Sequence, residues 1–202
     1  MNEIEKIIEH AEEKFFREGF YKTTMDEVAA DLQMSKKTIY KFFPSKNELV
    51  KAAAHHFMNK MNGKILPALN SDKNAIAKLA DLISLLASVS VKVSPKMLGE
   101  LKKHMPSLWD EIDRFRTEMM MNNISKVIDQ GKAEGLFLDY PTSILITVFV
   151  SSARSVVNPE FILANNFSII QAARTAFLVI IGGMLTEKGR EVFNETLNKE
   201  KI

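Results

Sequence analysis

Apolar residues recur at helical spacing along most of the chain, and no segment shows the strict alternation that is typical of a strand. The first such segment covers residues 3–18 and is followed by Gly19, a residue that commonly ends a helix. Its apolar stripe consists of Ile4, Ile7, Ile8, Ala11 and Phe15. The other positions carry mainly Glu and Lys, so this segment is predicted to be an amphipathic helix.

Further helices are predicted after residue 45, each bounded by Pro, Gly, Ser or Asn signals. The first runs from Ser45 to about residue 65 and is ended by Pro67. The others cover residues 73–90, a shorter segment that starts at Ser94-Pro95, residues 106–134, 141–157 and 167–186. Asn158-Pro159 is expected to close the helix before it, and a charged tail shows some helical pattern at 191–197. The predicted fold class is all-α.

Two short helices joined by a tight turn are predicted before that long helix. Thr24 and Glu27 fit a capping box, in which each side chain binds the other residue's backbone N–H. Ser35 is expected to cap the second short helix, residues 36–43, and Pro44 to stop it. This order of cap, helix, turn, cap and helix is typical of a helix-turn-helix.

The second short helix carries side chains that suit contact with DNA. Ile39 and Phe43 share one face and are expected to pack on the core. The other faces carry Lys36, Lys37, Thr38, Tyr40 and Lys41. Lysine neutralises phosphate and donates to guanine, whereas the Thr and Tyr hydroxyls reach phosphates. A run of charge is usually only a solvated face, but its place in this order of elements favours entry into the major groove.

The distribution of charge supports that interpretation, although the net charge is only +2. Residues 1–31 hold four basic and nine acidic residues, a balance of −5. Residues 35–51 hold five lysines against one glutamate, a balance of +4. A local basic patch in an acidic domain directs attraction for a polyanion to one surface.

The residues around this motif resemble the N-terminal domain of TetR-family transcriptional regulators. The resemblance covers about residues 5–50 and rests on Gly19-Phe20, Thr23-Thr24, Val28-Ala29, Ser35-Lys36, Ile39-Tyr40, Phe43 and Ser45-Lys46. Lys37 departs from the family pattern, because many members carry glycine there, and Met34 stands where valine is more usual. The resemblance implies a homodimeric, ligand-responsive regulator, more often a repressor than an activator, that binds a palindromic operator.

The predicted organisation is therefore a helix-turn-helix DNA-binding domain, residues 1–50, followed by an α-helical effector-binding and dimerisation domain, residues 51–202. Lys36 and Lys37 are the predicted base-reading residues. The full set of predicted DNA-binding residues is Thr24, Ser35, Lys36, Lys37, Thr38, Tyr40, Lys41 and Lys46. Lys46 lies in the first turn of a helix, where a cation opposes the helix dipole unless an anion binds nearby.

The last two major helices, about 141–157 and 167–186, are the most apolar and also hold small residues suited to close packing. Gly182 and Gly183 lie inside the second of them, where each glycine costs roughly 1 kcal/mol relative to alanine. Both helices can be the core of a monomer. The family resemblance instead implies that they pair with their copies in a homodimer.

The chain is rich in Met (11) and Phe (13), which line adaptable pockets but also fill ordinary cores. The resemblance implies an effector inside the second domain, and a small apolar effector is predicted. Its predicted contacts are Phe57, Met61, Met97, Leu101, Met105, Trp109 and Phe115. Polar residues that can orient it are His104, Arg154, Asn158 and Arg174, each of which can equally be a surface or ion-pair residue.

The sequence offers little support for an enzyme, a metal site or a cofactor. Cysteine is absent, and the four histidines include an adjacent pair, His55-His56, whose side chains point to different faces of a helix. No phosphate-binding glycine loop or nucleophile motif is present. A helical-bundle enzyme is the alternative and needs a converging titratable cluster. No signal peptide or membrane span is predicted, so a cytoplasmic location is expected.

Overall fold

The computed structural model describes residues 2–90 and 92–200. Within these ranges the chain forms eleven α-helices and no strand, which confirms the all-α prediction. The helices are α1 (Glu3–Glu18), α2 (Met25–Asp31), α3 (Lys36–Phe42), α4 (Lys46–Leu69), α5 (Ala75–Ser90), α6 (Pro95–His104), α7 (Pro106–Ala133), α8 (Thr142–Val156), α9 (Pro159–Asn165), α10 (Ile169–Met184) and α11 (Glu187–Glu200).

Local capping signals decide where most helices begin and end. Asn2 and Glu5 form a capping box at the start of α1, and Gly19 ends that helix with φ +85°. Ser94 caps α6, where Pro95 takes the first helical position that proline favours. The helix of residues 3–18 and the start at Ser94-Pro95 are thus confirmed.

One predicted boundary is wrong, and two other predictions are incomplete. Pro67 does not end the long helix, because α4 continues to Leu69 and Asn70 N–H still donates to the Leu66 carbonyl oxygen at 2.9 Å. Asn158-Pro159 closes α8 as predicted, but it also starts α9. The Asn158 side chain caps α9 by accepting from Glu160 N–H. The charged tail forms α11, which is longer than the pattern at 191–197.

The described residues divide into two compact units, residues 2–62 with 92–112, and residues 63–90 with 113–200. The first unit contains the predicted DNA-binding segment, the beginning of α4 and all of α6. The predicted domain boundary after residue 50 stays a prediction, and its far end at residue 202 lies outside the described residues.

The first unit has a single apolar core that gathers side chains from distant parts of the chain. Ile7, Ile39 and Leu49 are completely buried in it. α6 and α7 contribute Leu101 and Leu108 to the same cluster. Polar contacts at its edge include a 2.6 Å approach of His56 Nδ1 on α4 to the buried Glu12 carboxylate on α1. Burial of this kind is the main favourable term in the stability of the unit.

The second unit packs α5, α8, α10 and α11 together, and α7 meets the connection to α8 in a tight notch. Gly131 lies on α7 under the ring of Phe137, whose own N–H donates to the Gly131 carbonyl oxygen at 3.1 Å. A Cβ on Gly131 would lie 2.1 Å from that ring. The notch therefore requires glycine.

Gly131→Ala is expected to lower the free energy of unfolding by about 1–3 kcal/mol, because the new methyl group overlaps the buried Phe137 ring. Gly63→Ala is the matched control, since a Cβ there meets open space on α4. The control should raise stability by up to about 1 kcal/mol through helix propensity. Urea unfolding at one protein concentration, followed by circular dichroism, measures both. Equal effects of the two substitutions would contradict the notch.

Candidate nucleic-acid interface

The segment from Thr24 to Phe42 folds as the predicted pair of short helices. Thr24 caps α2, with Glu27 N–H donating to the Thr24 hydroxyl at 3.2 Å and Thr24 N–H donating to the Glu27 carboxylate at 2.7 Å. The predicted capping box is confirmed. Because α2 has only seven residues, this reciprocal pair satisfies a large share of its free backbone donors.

The turn between the helices uses a left-handed residue. Gln33 has φ +55°, a conformation that costs a non-glycine residue roughly 1 kcal/mol or more. Met34 N–H donates to the Ala29 carbonyl oxygen at 2.9 Å, which closes α2. Ser35 then caps α3 by accepting from Thr38 N–H at 3.0 Å, as predicted.

The two faces of α3 differ sharply in exposure. Ile39 is completely buried and Phe43, just past the helix, is nearly so. The outer face carries exposed Lys36, Lys37, Tyr40 and Lys41. Of these, Tyr40 has 46% of its surface exposed, which leaves its hydroxyl free to reach outward. The packing of Ile39 therefore fixes which side of α3 faces outward, and that side is basic.

The lysines of the segment have different partners. Lys36 forms an ion pair with Asp26 on α2, and Lys41 lies 5.6 Å from the centre of the Phe42 ring. For Lys37, the described part of the chain provides no ion pair. The predicted DNA contacts before α4 thus lie at the start of α2, in the turn and on α3. They are Thr24, Ser35, Lys36, Lys37, Thr38, Tyr40 and Lys41. This arrangement presents three ammonium groups from one helix.

Lys46 lies at the start of α4 and is less available than the sequence suggests. Its ammonium group donates to the Tyr21 carbonyl oxygen at 2.8 Å and lies 5.9 Å from the centre of the Tyr21 ring. Burial lowers the pKa of Lys46 below its ordinary value of 10.5, although the charges of Glu27 and Glu100 oppose that shift. Tyr21 also stacks on His104 of α6, with ring centres 4.5 Å apart. Lys46 therefore links α4 to the loop after α1.

The predicted ligand contacts lie in different surroundings. Met97 and Leu101 line a cavity of about 50 Å³ together with Phe15, Phe16 and other residues of the first unit. Leu101, Met105 and Trp109 pack on the core that holds α3, and Phe57 meets the Phe16 ring edge-on at 4.9 Å. Met61 and Phe115 are partly buried. A cavity of this size is well below the roughly 300–1,000 Å³ of a drug-sized pocket.

Among the polar candidates, three have partners of their own. His104 stacks on Tyr21, Arg154 pairs with Asp113, and Asn158 caps α9. Arg116, a partly buried arginine on α7, lies outside the predicted set. In the sequence, Arg116 is marked by its position on a stripe of apolar residues at four-residue spacing. The other members of this stripe are Leu108, Ile112, Met120, Ile124 and Ile128.

Comparison with known proteins agrees with the geometry of this segment. Residues 7–53 match the family model described as bacterial regulatory proteins, tetR family. An uncharacterized HTH-type transcriptional regulator of Bacillus subtilis (strain 168), YvaF, is 22% identical over 176 residues, which are 87% of this chain and 92% of the relative. Residues 7–53 therefore form a tetR-family helix-turn-helix domain. The chain that carries this domain is a DNA-binding transcriptional regulator.

Two solved structures share the fold of this chain. A transcriptional regulator from Cytophaga hutchinsonii ATCC 33406 superposes with a TM-score of 0.73 at 20% identity, covering 90% of this chain and 98% of the other. A TetR transcription regulator from Haloarcula marismortui ATCC 43049 gives 0.68 at 16% identity, covering 91% and 98%. At such identities the likeness extends to the fold, so residue roles rest on the geometry above.

Hydropathy gives no single membrane-spanning helix among the described residues of this protein. α9 and α10 reach the required length and composition only as a pair, and the chain bends by 102° between them.

Asp31 ties α2 to α1 and makes the helix-turn-helix sensitive to acid. Hydrogen bonds from Lys14 at 2.8 Å and from the His10 ring at 3.1 Å hold the pKa of Asp31 below its ordinary value of 3.8. Because folding lowers this pKa, the pair stabilises the fold fully above pH 3.8. That contribution disappears as the pH falls through the lower, folded-state pKa.

Asp31→Asn is therefore expected to lower the thermal midpoint at neutral pH, with a gap to the wild type that closes as the pH falls below about 4. Thermal unfolding over a pH series measures this gap. Asp72→Asn, which changes an exposed carboxylate in the turn before α5, is the control and should leave the midpoint nearly unchanged. A gap that is constant down to pH 2 would show that Asp31 does not act through its charge.

Proposed function

We propose that this protein is a ligand-responsive transcriptional repressor that binds a palindromic operator as a homodimer. The observation that carries the proposal is the orientation of α3, which buries Ile39 completely and turns its lysines outward. A short basic helix held in this way is suited to enter the major groove of DNA. Two copies related by a two-fold axis match the two halves of a palindrome.

In the proposed complex, Lys36 and Lys37 read bases, and Thr24, Ser35, Thr38, Tyr40, Lys41 and Lys46 contact phosphates. Lys37 is the stronger base-reading candidate, because Lys36 must first exchange Asp26 for DNA. The caps at Thr24 and Ser35 support the phosphate role, since the N-termini of α2 and α3 present backbone N–H groups beside them.

The proposed dimer forms through α8 and α10. Ile144 and Val148 lie one turn apart on α8 and expose 58% and 49% of their surface, and Val179 on α10 exposes 70%. A Cβ on Gly182 or Gly183 would meet nothing within 4 Å, so packing inside the protomer gives no reason for either glycine. Close approach of a second copy supplies such a reason, which supports the dimer.

The proposed effector is small and largely apolar. Its proposed contacts remain those predicted from the sequence, Phe57, Met61, Met97, Leu101, Met105, Trp109 and Phe115. The cavity beside Met97 and Leu101 supports a regulatory role, because Phe15 and Phe16 of α1 line it as well. A molecule that enters must displace side chains, and the flexible Met97 can move most readily. Pressure on α1 would then shift the helices that present α3.

Binding to the DNA upstream of the protein's own gene tests the proposal directly. We expect tight, salt-sensitive binding of that DNA that survives an excess of random duplex. Binding no tighter than to random duplex at both of two salt concentrations would count against a specific operator there.

Lys37→Gly and Lys46→Ala should weaken binding in different ways. Lys37→Gly removes a proposed base contact and is expected to cost about 1–3 kcal/mol at particular base pairs only. Lys46→Ala should weaken all sequences alike and reduce the salt slope by about one. Titration against an operator and its single-base variants at several salt concentrations separates the two. A change of base preference in Lys46→Ala would overturn the phosphate assignment, and circular dichroism checks that its fold is kept.

Val179→Glu is expected to convert the dimer to a monomer, because two-fold symmetry buries two unpaired charges in the interface. The cost should be on the order of 3 kcal/mol or more. Light scattering after size-exclusion chromatography measures the mass. Ile4→Glu is the control, since it adds the same charge at an exposed apolar residue of α1. A dimer that survives Val179→Glu at micromolar concentration would contradict the proposed interface.

A further inference from the structure

A carboxylate oxygen in the first compact unit is buried without a hydrogen-bond partner. It is Oε2 of Glu100, a partly buried residue of α6. Such an oxygen is rarely left unpaired, because burial removes the water that an exposed oxygen would bind. It lies against the loop after α1, where a Cβ added at Gly19 would be 3.2 Å from it. The Glu100 side chain therefore reaches from α6 to the loop that leads into α2.

The same loop holds the ammonium group of Lys46, the first residue of α4. This group donates to the carbonyl oxygen of Tyr21, two residues after Gly19, at a distance of 2.8 Å. A carbonyl oxygen carries no net charge, and an ammonium group has three donors, so this bond leaves donors for an anion. Glu100 and Lys46 thus approach one short loop with opposite charges.

The packing of α6 keeps Glu100 at this place. His104 follows Glu100 by four residues on α6, and its ring stacks on the Tyr21 ring with centres 4.5 Å apart. Residues four apart lie on one face of a helix, so a single face of α6 covers the loop. Burial lowers the pKa of Lys46, and the charges of Glu27 and Glu100 oppose that shift. The Glu100 carboxylate is therefore within electrostatic reach of the ammonium group.

The two carboxylates that act on Lys46 differ in what they already bind. Glu27 Oε2 accepts from the Thr24 N–H at 2.7 Å and from the Thr24 hydroxyl at 3.0 Å, so it is engaged in the cap of α2. Glu100 Oε2 has no such bond. The carboxylate that gains most from a lysine donor is therefore that of Glu100.

We propose that Glu100 competes with DNA phosphate for the Lys46 ammonium group and thereby limits the affinity of this protein for any duplex. The flexible four-carbon stem of a lysine lets its ammonium group exchange between the two anions. The inference rests on the phosphate contact of Lys46 in the proposed function. Because a phosphate contact carries no sequence information, the competition should act equally on an operator and on random DNA.

Two other roles for Glu100 make different predictions. A carboxylate that only adds negative charge near DNA weakens binding whether or not Lys46 is present. A carboxylate that holds α6 in place lowers the thermal midpoint, and DNA affinity with it, when it is removed. A competitor for Lys46 acts only while Lys46 is present, and its removal tightens binding.

Glu100→Gln is expected to tighten binding of a short random duplex about three- to tenfold at low salt and to steepen the salt slope by up to about one, because Lys46 is then free for phosphate. In a Lys46→Ala background the same substitution should change binding less than about twofold. Fluorescence anisotropy of a labelled duplex with the full-length protein at several salt concentrations measures all four proteins.

Glu48→Gln is the matched control, because Glu48 is an exposed carboxylate two residues after Lys46 on α4. Its effect should be the same with and without Lys46. Glu100→Met also removes the charge and should tighten binding as Glu100→Gln does, while thermal unfolding checks that each variant folds. Unchanged or weaker binding in both Glu100 variants, or tightening that persists without Lys46, would overturn the proposal.

A measurement without DNA separates this inference from the proposed function. Carbon NMR of protein labelled at the lysine ε-carbon follows the pKa of Lys46. Glu100→Gln should lower that pKa, since one of the two charges that oppose the effect of burial is gone, and Glu48→Gln should change it less. An unchanged pKa would overturn the pairing of Glu100 with Lys46. A lower pKa, together with wild-type DNA binding by Lys46→Ala, would confirm the pairing and contradict the phosphate contact of the proposed function.

Discussion

The burial of Ile39 is the constraint on which the rest of the DNA-binding unit depends. α3 has seven residues, far fewer than the roughly 12–15 that a helix needs to be stable alone in water. It persists because Ser35 caps it and because Ile39 is completely buried in a shared core. That core includes Leu101 of α6 and Leu108 of α7. The orientation of α3 is therefore set partly by residues some sixty positions further along the chain.

This shared core would give the proposed regulation a short physical path. Within this unit, α6 contacts the other helices through Leu101 in the core and through His104, which stacks on Tyr21. Tyr21 in turn holds the Lys46 ammonium group through its carbonyl oxygen. A ligand shifts such a system only if it binds one arrangement of these contacts more tightly than another. Packed cores have few alternative arrangements, so a small displacement of α6 is passed to α1 and α4 rather than absorbed.

The sequence predicted what local interactions decide. The predicted contacts between residues close in sequence all form in the structure. They are the caps of Thr24 with Glu27 and of Ser35 with Thr38, and the end of α1 at Gly19. Pro67 predicts a helix end because a proline lacks an N–H and restricts its predecessor. The helix nevertheless continues, and Asn70 N–H donates to the Leu66 carbonyl oxygen. The short α9 was missed for a related reason, since Asn158 is both an end signal and a cap.

The contacts that sequence reasoning did not reach are those between distant segments. The sequence indicates Lys46 as a phosphate contact, and nothing local reveals that the Tyr21 carbonyl oxygen lies 2.8 Å from its ammonium group. The same holds for the predicted ligand contacts, because the packing of Leu101 and Trp109 on the DNA-binding core depends on where α6 and α7 dock. Helix periodicity predicts that a face is buried, but it does not predict which other helix covers it.

Two residues of α10 lower the stability of the isolated protomer, and their placement supports the proposed dimer. Gly182 and Gly183 weaken α10 although a Cβ would meet nothing at either position. A helix shaped only by the folding of one protomer would carry alanine there. The cost is offset if a second copy of the chain packs closely against the two glycines.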